Sequence, residues 1–159
     1  MTLVILGVGR LRERFYRDAA DEYVKRLRRF GAVEEIELPD LPEPANTSPA
    51  IEQKIREKEG EAILSRIRPT DHVVALCIEG KQLSSEQLAE RVSELEGRGV
   101  GRAVFVIGGS LGLSEAVIRR ANERLSFSRM TFPHQLARVM LLEQLYRARK
   151  IGANERYHK

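Results

Sequence analysis

The sequence predicts an α/β protein in which helices cover a parallel β-sheet. Three observations lead there. Short apolar runs rich in branched residues alternate with longer stretches of helical periodicity along the whole chain, which is how a helix-covered parallel sheet is written. At 159 residues the chain is about one domain long, and 42% hydrophobic with 31% charged residues supports a core and lies far from a disordered composition. The longest uninterrupted apolar run, Val73 to Ile78, is six residues where a membrane span needs roughly 18 to 20, so a soluble protein is expected.

The elements follow in order. Met1-Thr2-Leu3-Val4-Ile5-Leu6 has neither a basic leader nor a small-residue cleavage site, so it reads as the start of a strand over Thr2 to Val8 and not as an export signal. A helix over Glu13 to Phe30 and a strand over Val33 to Leu38 come next. Pro39 to Pro49 holds four of the six prolines, which oppose both helix and central strand, and predicts an extended surface loop: a mobile lid or a passive connection. Ser48 caps a helix over Pro49 to Arg66, with proline at the first position, where a missing N–H costs nothing. His72 to Ile78 is a strand containing Cys77. As the single cysteine, without ligand spacing around it, Cys77 predicts no intrachain disulfide and no metal site, and fits a buried residue in a reducing cytoplasm. Ser84 and Gln87 have capping-box spacing and start a helix over Ser85 to Glu96. A strand over Ala103 to Ile107, a helix over Ser114 to Glu123, a strand over Leu125 to Met130 and a helix over His134 to Lys150 complete the series.

In the last helix, Leu136, Val139, Met140, Leu141, Leu142, Leu145 and Tyr146 spread around most of the circumference, too widely for one covered face. A second surface is required, and a second copy of the chain would supply it, which predicts a homodimer. Charge points to the same segment. Residues 134 to 159 hold six basic and two acidic residues, and residues 1 to 133 balance, so the whole net charge of +4 falls at the end of the chain. That pattern fits either a polyanion-binding segment or a solvated helix face.

Three segments carry chemistry. Gly108-Gly109-Ser110-Leu111-Gly112-Leu113-Ser114 joins a strand to a helix, where glycines either make a tight turn or let a ligand approach the main chain. The turn lacks the Lys-Ser/Thr ending of a P-loop and the G-x-G-x-x-G spacing of a dinucleotide site. Leu76-Cys77-Ile78-Glu79-Gly80-Lys81 and Ser126 to His134 are the other two. All three lie at the carboxyl ends of strands, where parallel sheets collect ligands, and together predict one pocket. The tail, Asn154 to Lys159, is either a frayed end or a grouping of aromatic, imidazole and cation suited to holding and deprotonating a base.

Phe105 to Ser114, Leu125 to His134, Leu145-Tyr146-Arg147-Ala148 and the terminal Tyr157-His158-Lys159 resemble the SPOUT methyltransferases, and among them those that modify the large ribosomal subunit. The likeness spans essentially the whole chain. It implies one domain over 1–159, an α/β fold with a central, mostly parallel sheet of five to six strands, a C-terminal trefoil knot within about 103–155, and a homodimer. The implied activity is N3-methylation of a pseudouridine in the helix 69 loop of 23S rRNA within the assembled ribosome. S-adenosylmethionine would be the methyl donor, with no metal and no membrane association. Carried over by residue, the donor would contact Leu76, Gly108, Gly109, Ser128, Arg129, Met130, Thr131, Phe132 and Pro133. His134, Arg147, Tyr157, His158 and Lys159 would face the base, with Lys159 standing where some relatives carry arginine, whose bidentate grip an ammonium does not reproduce. His158 or His134 would assist loss of the N3 proton, Arg147 would offset charge on a base carbonyl, and Tyr157 would position the ring. Each donor pocket would be completed by the partner's tail. A non-catalytic ribosome-binding factor is the expectation from another class.

Overall fold

Side-chain alternation in the first strand sorts the core. Leu3 and Ile5 belong to one apolar cluster and Val4, Leu6 and Val8 to another, as expected of a strand buried on both faces. The computed structural model describes residues 1–159. In chain order its elements are β1 (Thr2–Val8), α1 (Arg14–Leu27), β2 (Val33–Leu38), α2 (Pro49–Leu64), β3 (His72–Gln82), α3 (Ser85–Gly97), β4 (Arg102–Ile107), α4 (Glu115–Arg120), β5 (Glu123–Ser126) and α5 (His134–Gly152). The five strands pair in the order β2-β1-β4-β3-β5, all parallel. Helices α1, α3 and α5 cover one face over Leu3, Ile5, Ala103, Phe105 and Ile107, and α2 and α4 cover the other over Val4, Leu6, Val104 and Val106. No helix is long and apolar enough to cross a membrane.

The expected caps form. Ser48 accepts from the Ile51 N–H, with Pro49 in the first turn, and Ser84 and Gln87 satisfy each other's backbone N–H groups at 3.1 and 2.9 Å. Residues 39–48, with Pro39, Pro42 and Pro44, form no regular element. Helix α2 comes so close to α4 at Gly60 that a Cβ there would lie 2.2 Å from Ser114 Oγ.

Two strand boundaries differ from expectation. Strand β3 continues past Ile78 to Gln82, but residues 77–80 leave the ladder: Leu76 and Lys81 both pair with Leu125. Gly80 permits this, since a Cβ there would lie 2.6 Å from the Leu125 carbonyl carbon. Strand β5 begins at Glu123, because Asn122 is drawn onto β3 by two 2.8 Å bonds with the Val73 backbone. It ends at Ser126, where the Ser126 hydroxyl donates to the Ser128 carbonyl and Ser128 Oγ accepts from Met130 N–H, bending the chain into a loop.

The cover of α5 also differs. Leu141, Leu142, Leu145, Tyr146 and Ala148 are buried in the cluster formed with α1, α3 and the sheet. Two neighbouring helices of the same chain therefore supply most of the second surface. Leu136, Val139 and Met140 stay half-buried.

Candidate functional site

The three carboxyl-end segments meet in one cleft of about 950 Å³. The 77–80 excursion of β3 supplies one wall through Leu76, Cys77, Ile78 and Glu79, the glycine turn supplies a second, and residues 126–133 with the first turn of α5 close the third. Leu76, Gly108, Gly109, Ser128, Met130, Thr131, Phe132, Pro133 and His134 all line it, whereas Arg129 is exposed and lies outside the lining. Apolar side chains such as Ile107, Leu113, Leu125 and Phe127 line it, together with the glycine turn and the polar side chains of Glu79, Ser126, Ser128, Thr131 and His134. A cavity of apolar side chains with a few polar groups suits a small molecule that has a flat ring and hydrogen-bonding edges.

The glycines make the tight turn. Gly112 has φ +81° and donates its N–H to the Gly109 carbonyl at 3.1 Å, and a Cβ on Gly108 would lie 2.9 Å from the Gly112 carbonyl carbon. Gly108 is thus required for the turn to close, and the closed turn presents its backbone to the cleft.

His134 is half-buried where α5 begins, and Gly9, at φ +90°, lies beneath it: a Cβ there would be 3.2 Å from His134 Nε2. Burial, followed by the nearby Arg138 charge, holds the imidazole below its ordinary value of 6.5, and Asp40 only partly opposes this. Burial thus favours the neutral ring, the form with a nitrogen free to accept a proton.

The tail lies elsewhere. Arg147 stands thirteen residues beyond His134 on α5, about 20 Å along the axis at roughly 1.5 Å per residue. There Arg147 pairs with Glu143 and stacks over the Tyr157 ring at 4.7 Å, and Tyr157 donates to Glu143 at 3.1 Å. Burial, then Glu143, pushes the Tyr157 phenol up to about 12. His158 Nδ1 lies 3.1 Å from Arg147 Nη1 and its Nε2 lies 2.7 Å from Glu86. A guanidinium only donates, so Nδ1 accepts and Nε2–H donates to Glu86. Lys159 is exposed. Within one chain, then, the structure gathers the cleft residues with His134 and gathers Arg147, Tyr157 and His158, but it does not bring the two groups together. The terminal charge is also less free than the sequence suggested. Arg138, Arg147, Arg149 and Lys150 pair with Glu37, Glu143, Glu96 and Glu155.

Sequence reading missed three residues. Cys77, expected in the core, is half-buried on the cleft wall, where burial, then Glu79, pushes its thiol up. Glu59 on α2 is buried behind the glycine turn and accepts from Leu41 N–H at 3.1 Å, and burial foremost raises its carboxyl. Arg138 is 2% exposed; it donates to the Gly9 carbonyl at 2.7 Å and pairs with Glu37 at 3.0 Å, fastening the start of α5 to the ends of β1 and β2. A signal for it existed, since Arg138 stands three and four residues before the buried Leu141 and Leu142, on the same helical stripe.

Fold and cleft together define a class: a parallel α/β protein with a small-molecule cleft at the carboxyl rim of its sheet. Residues 1–158 match the family described as predicted SPOUT methyltransferases. The chain is 57% identical to the ribosomal RNA large subunit methyltransferase H of Bifidobacterium animalis subsp. lactis and 51% identical to that of Bacillus pumilus, over the full length of both proteins in each case. Its fold is similar to that of a probable methylase family protein from Haemophilus influenzae, with a TM-score of 0.52 at 12% identity over 99% of this chain and 70% of the other. The chain belongs to the SPOUT methyltransferase family and is a methyltransferase.

Proposed function

We propose that this protein transfers a methyl group from S-adenosylmethionine to N3 of a pseudouridine in the helix 69 loop of 23S rRNA, on the assembled ribosome in the cytoplasm. The observation that carries the reading is the convergence of three strand-end loops on one cleft bordered by His134. The name shared by full-length relatives at 51% and 57% identity supports the rRNA target.

When bound, the donor supplies a methyl group already activated on a sulfonium. The protein's residues therefore mainly align and exclude water. Leu76, Ser128, Met130, Thr131, Phe132 and Pro133 would hold the donor against the backbone of Gly108 and Gly109, and Arg129, whose side chain is exposed, would contribute main chain. Alignment of this kind can supply roughly 7–11 kcal/mol, against roughly 3–5 kcal/mol from a general base. His134, at the cleft, would take the N3 proton directly or through water. His158 has its Nδ1 lone pair committed to Arg147 in this arrangement and would need to release it first.

We infer further that the working unit is a homodimer in which Arg147, Tyr157, His158 and Lys159 of one copy complete the other's cleft. The separation of about 20 Å along α5 supports this, because one chain's tail does not border its own cleft. A trefoil knot within about 103–155 belongs to the same reading. After β5, at the edge of the sheet beyond β3, the chain crosses the rim to reach Gly9 at the end of β1.

The test is mass mapping of 23S rRNA after incubation of unmethylated ribosomes with protein and donor. A gain of one methyl on the helix 69 pseudouridine is expected. Methylation confined to another nucleotide, or to free RNA alone, would contradict the assignment.

A further inference from the structure

A second feature occupies the same rim. Between β1 and α1 the chain reads Arg10-Leu11-Arg12-Glu13-Arg14-Phe15. Leu11 is buried and its N–H donates to Glu37 at 3.2 Å, so the segment is fixed at its middle. The flanking residues face outward: Arg10, Arg12 and Arg14 are exposed, and Phe15 is 64% exposed. The Phe15 ring rests 4.5 Å from Tyr16, tilted by 54°, which leaves its other side to water.

Its cations are free in a way that those of α5 are not. Arg10 makes no ion pair, Arg14 reaches Asp18 only at 3.7 Å with both side chains exposed, and Arg12 touches Asp40 at 3.4 Å across exposed surface. The segment is also tied to the cleft. The Arg12 N–H donates to Gln135 at 3.0 Å, one residue past His134, and Gly9 immediately before the segment lies under the His134 ring. Arg10 has no carboxylate partner and the exposed pairs of Arg12 and Arg14 are weak and screened by salt, so all three can turn to phosphates, and an exposed ring held on one side stacks on a base that has left its own helix.

Resting on the RNA substrate proposed above, we propose that residues 10–15 are an RNA-docking segment: Arg10, Arg12 and Arg14 grip phosphates, and Phe15 stacks on an unpaired base next to the nucleotide offered to the cleft. The segment reads a loop and not a duplex, because a paired base has no free face for Phe15. It sets where the RNA lies and leaves donor binding to the cleft.

The experiment measures methylation of unmethylated ribosomes under saturating donor, with donor affinity by calorimetry and oligomeric state by sedimentation. Phe15→Ala should raise KM about tenfold while Phe15→Trp restores it, since base stacking on an aromatic ring contributes roughly 5- to 150-fold. Arg10→Ala with Arg14→Ala should flatten the salt dependence of binding by about one in slope per arginine removed. Donor affinity and kcat should stay near the wild-type values. Arg98→Ala, a cation lost beyond α3 and away from this rim, should leave KM unmoved. Variants with wild-type KM and salt slope would overturn the proposal, as would a KM change that tracks loss of the dimer, which would make the segment a contact between copies. A wild-type protein that methylates no rRNA would sink the proposed function itself, whereas an active wild type with inert substitutions sinks the docking segment alone.

Discussion

At its first turn α5 borders a cleft lined by the glycine turn and by apolar and polar side chains; in its C-terminal half it joins a mesh of aromatic rings and ion pairs tying Arg147, Tyr157 and His158 to Glu143 and Glu86. The first kind of surface is fixed by the fold. Its glycine turn leaves no room for a Cβ at Gly108, so adding bulk there changes it greatly. The second kind is held by charges that are partly in water, where each pair is weak and screened by salt. A site assembled from both has one half preorganised for the donor and another half able to rearrange around an RNA.

The largest effect that sharpens this contrast comes from adding a side chain to the rigid end. Gly108→Val puts a Cβ 2.9 Å from the Gly112 carbonyl carbon, so the turn cannot close. Donor affinity should fall by about a hundredfold or more, the loss of two or more well-formed backbone hydrogen bonds, in calorimetry. Far-UV circular dichroism should be unchanged.

Arg138 is the place where the rigid end relies on a charge. Arg138→Met leaves the Gly9 carbonyl without its guanidinium donor and one oxygen of Glu37 with Leu11 N–H alone, and should destabilise the protein by about 2–3 kcal/mol in urea titration. The figure stays below that for a fully buried pair because Glu37 is 30% exposed and keeps Arg17 at 3.3 Å. A loss of stability no larger than that of an exposed substitution would place this end of α5 in the same category as the other.

The smallest effect is in pH. The His134 ring is held below 6.5 in the folded protein, so the unfolded chain binds its proton first. Stability should therefore decline as pH falls through the window just beneath 6.5 and level off once the folded ring is also protonated. His134→Gln should remove that slope from a plot of Tm against pH. A slope of opposite sign in the wild type would mean that Asp40 outweighs burial.

What the sequence disclosed follows from what was local. Strands β1 and β2 are where unbroken apolar or alternating runs placed them, and Ser48 and Ser84 cap their helices through residues three positions away. The convergence of the three loops was legible too, because parallel strands bring all their carboxyl ends to one rim. The rest depends on distant pairings. Nothing near Ile78 indicates that β3 leaves its ladder for four residues, because the cause is the β5 backbone passing over Gly80. Arg138 looks like surface charge until topology delivers Gly9 and Glu37 to it. The breadth of the apolar pattern on α5 was real, but α1 and α3 cover most of it from within the chain. Counting charge along the sequence pointed to the last 26 residues, whereas Glu37 and Glu96 from elsewhere in the chain pair with Arg138 and Arg149 and offset about half of that excess, and Arg10, Arg12 and Arg14 stay exposed.

The most direct measurement mixes two inactive proteins, one carrying Gly109→Trp in the cleft and one lacking Tyr157 to Lys159, and assays ribosome methylation after subunit exchange. Random pairing at equal amounts should restore about a quarter of the wild-type activity, because half of the dimers form between unlike chains and each of these holds one intact cleft facing one intact tail. Activity no greater than the sum of the two parents would show that cleft and tail serve the same chain, and would contradict the account.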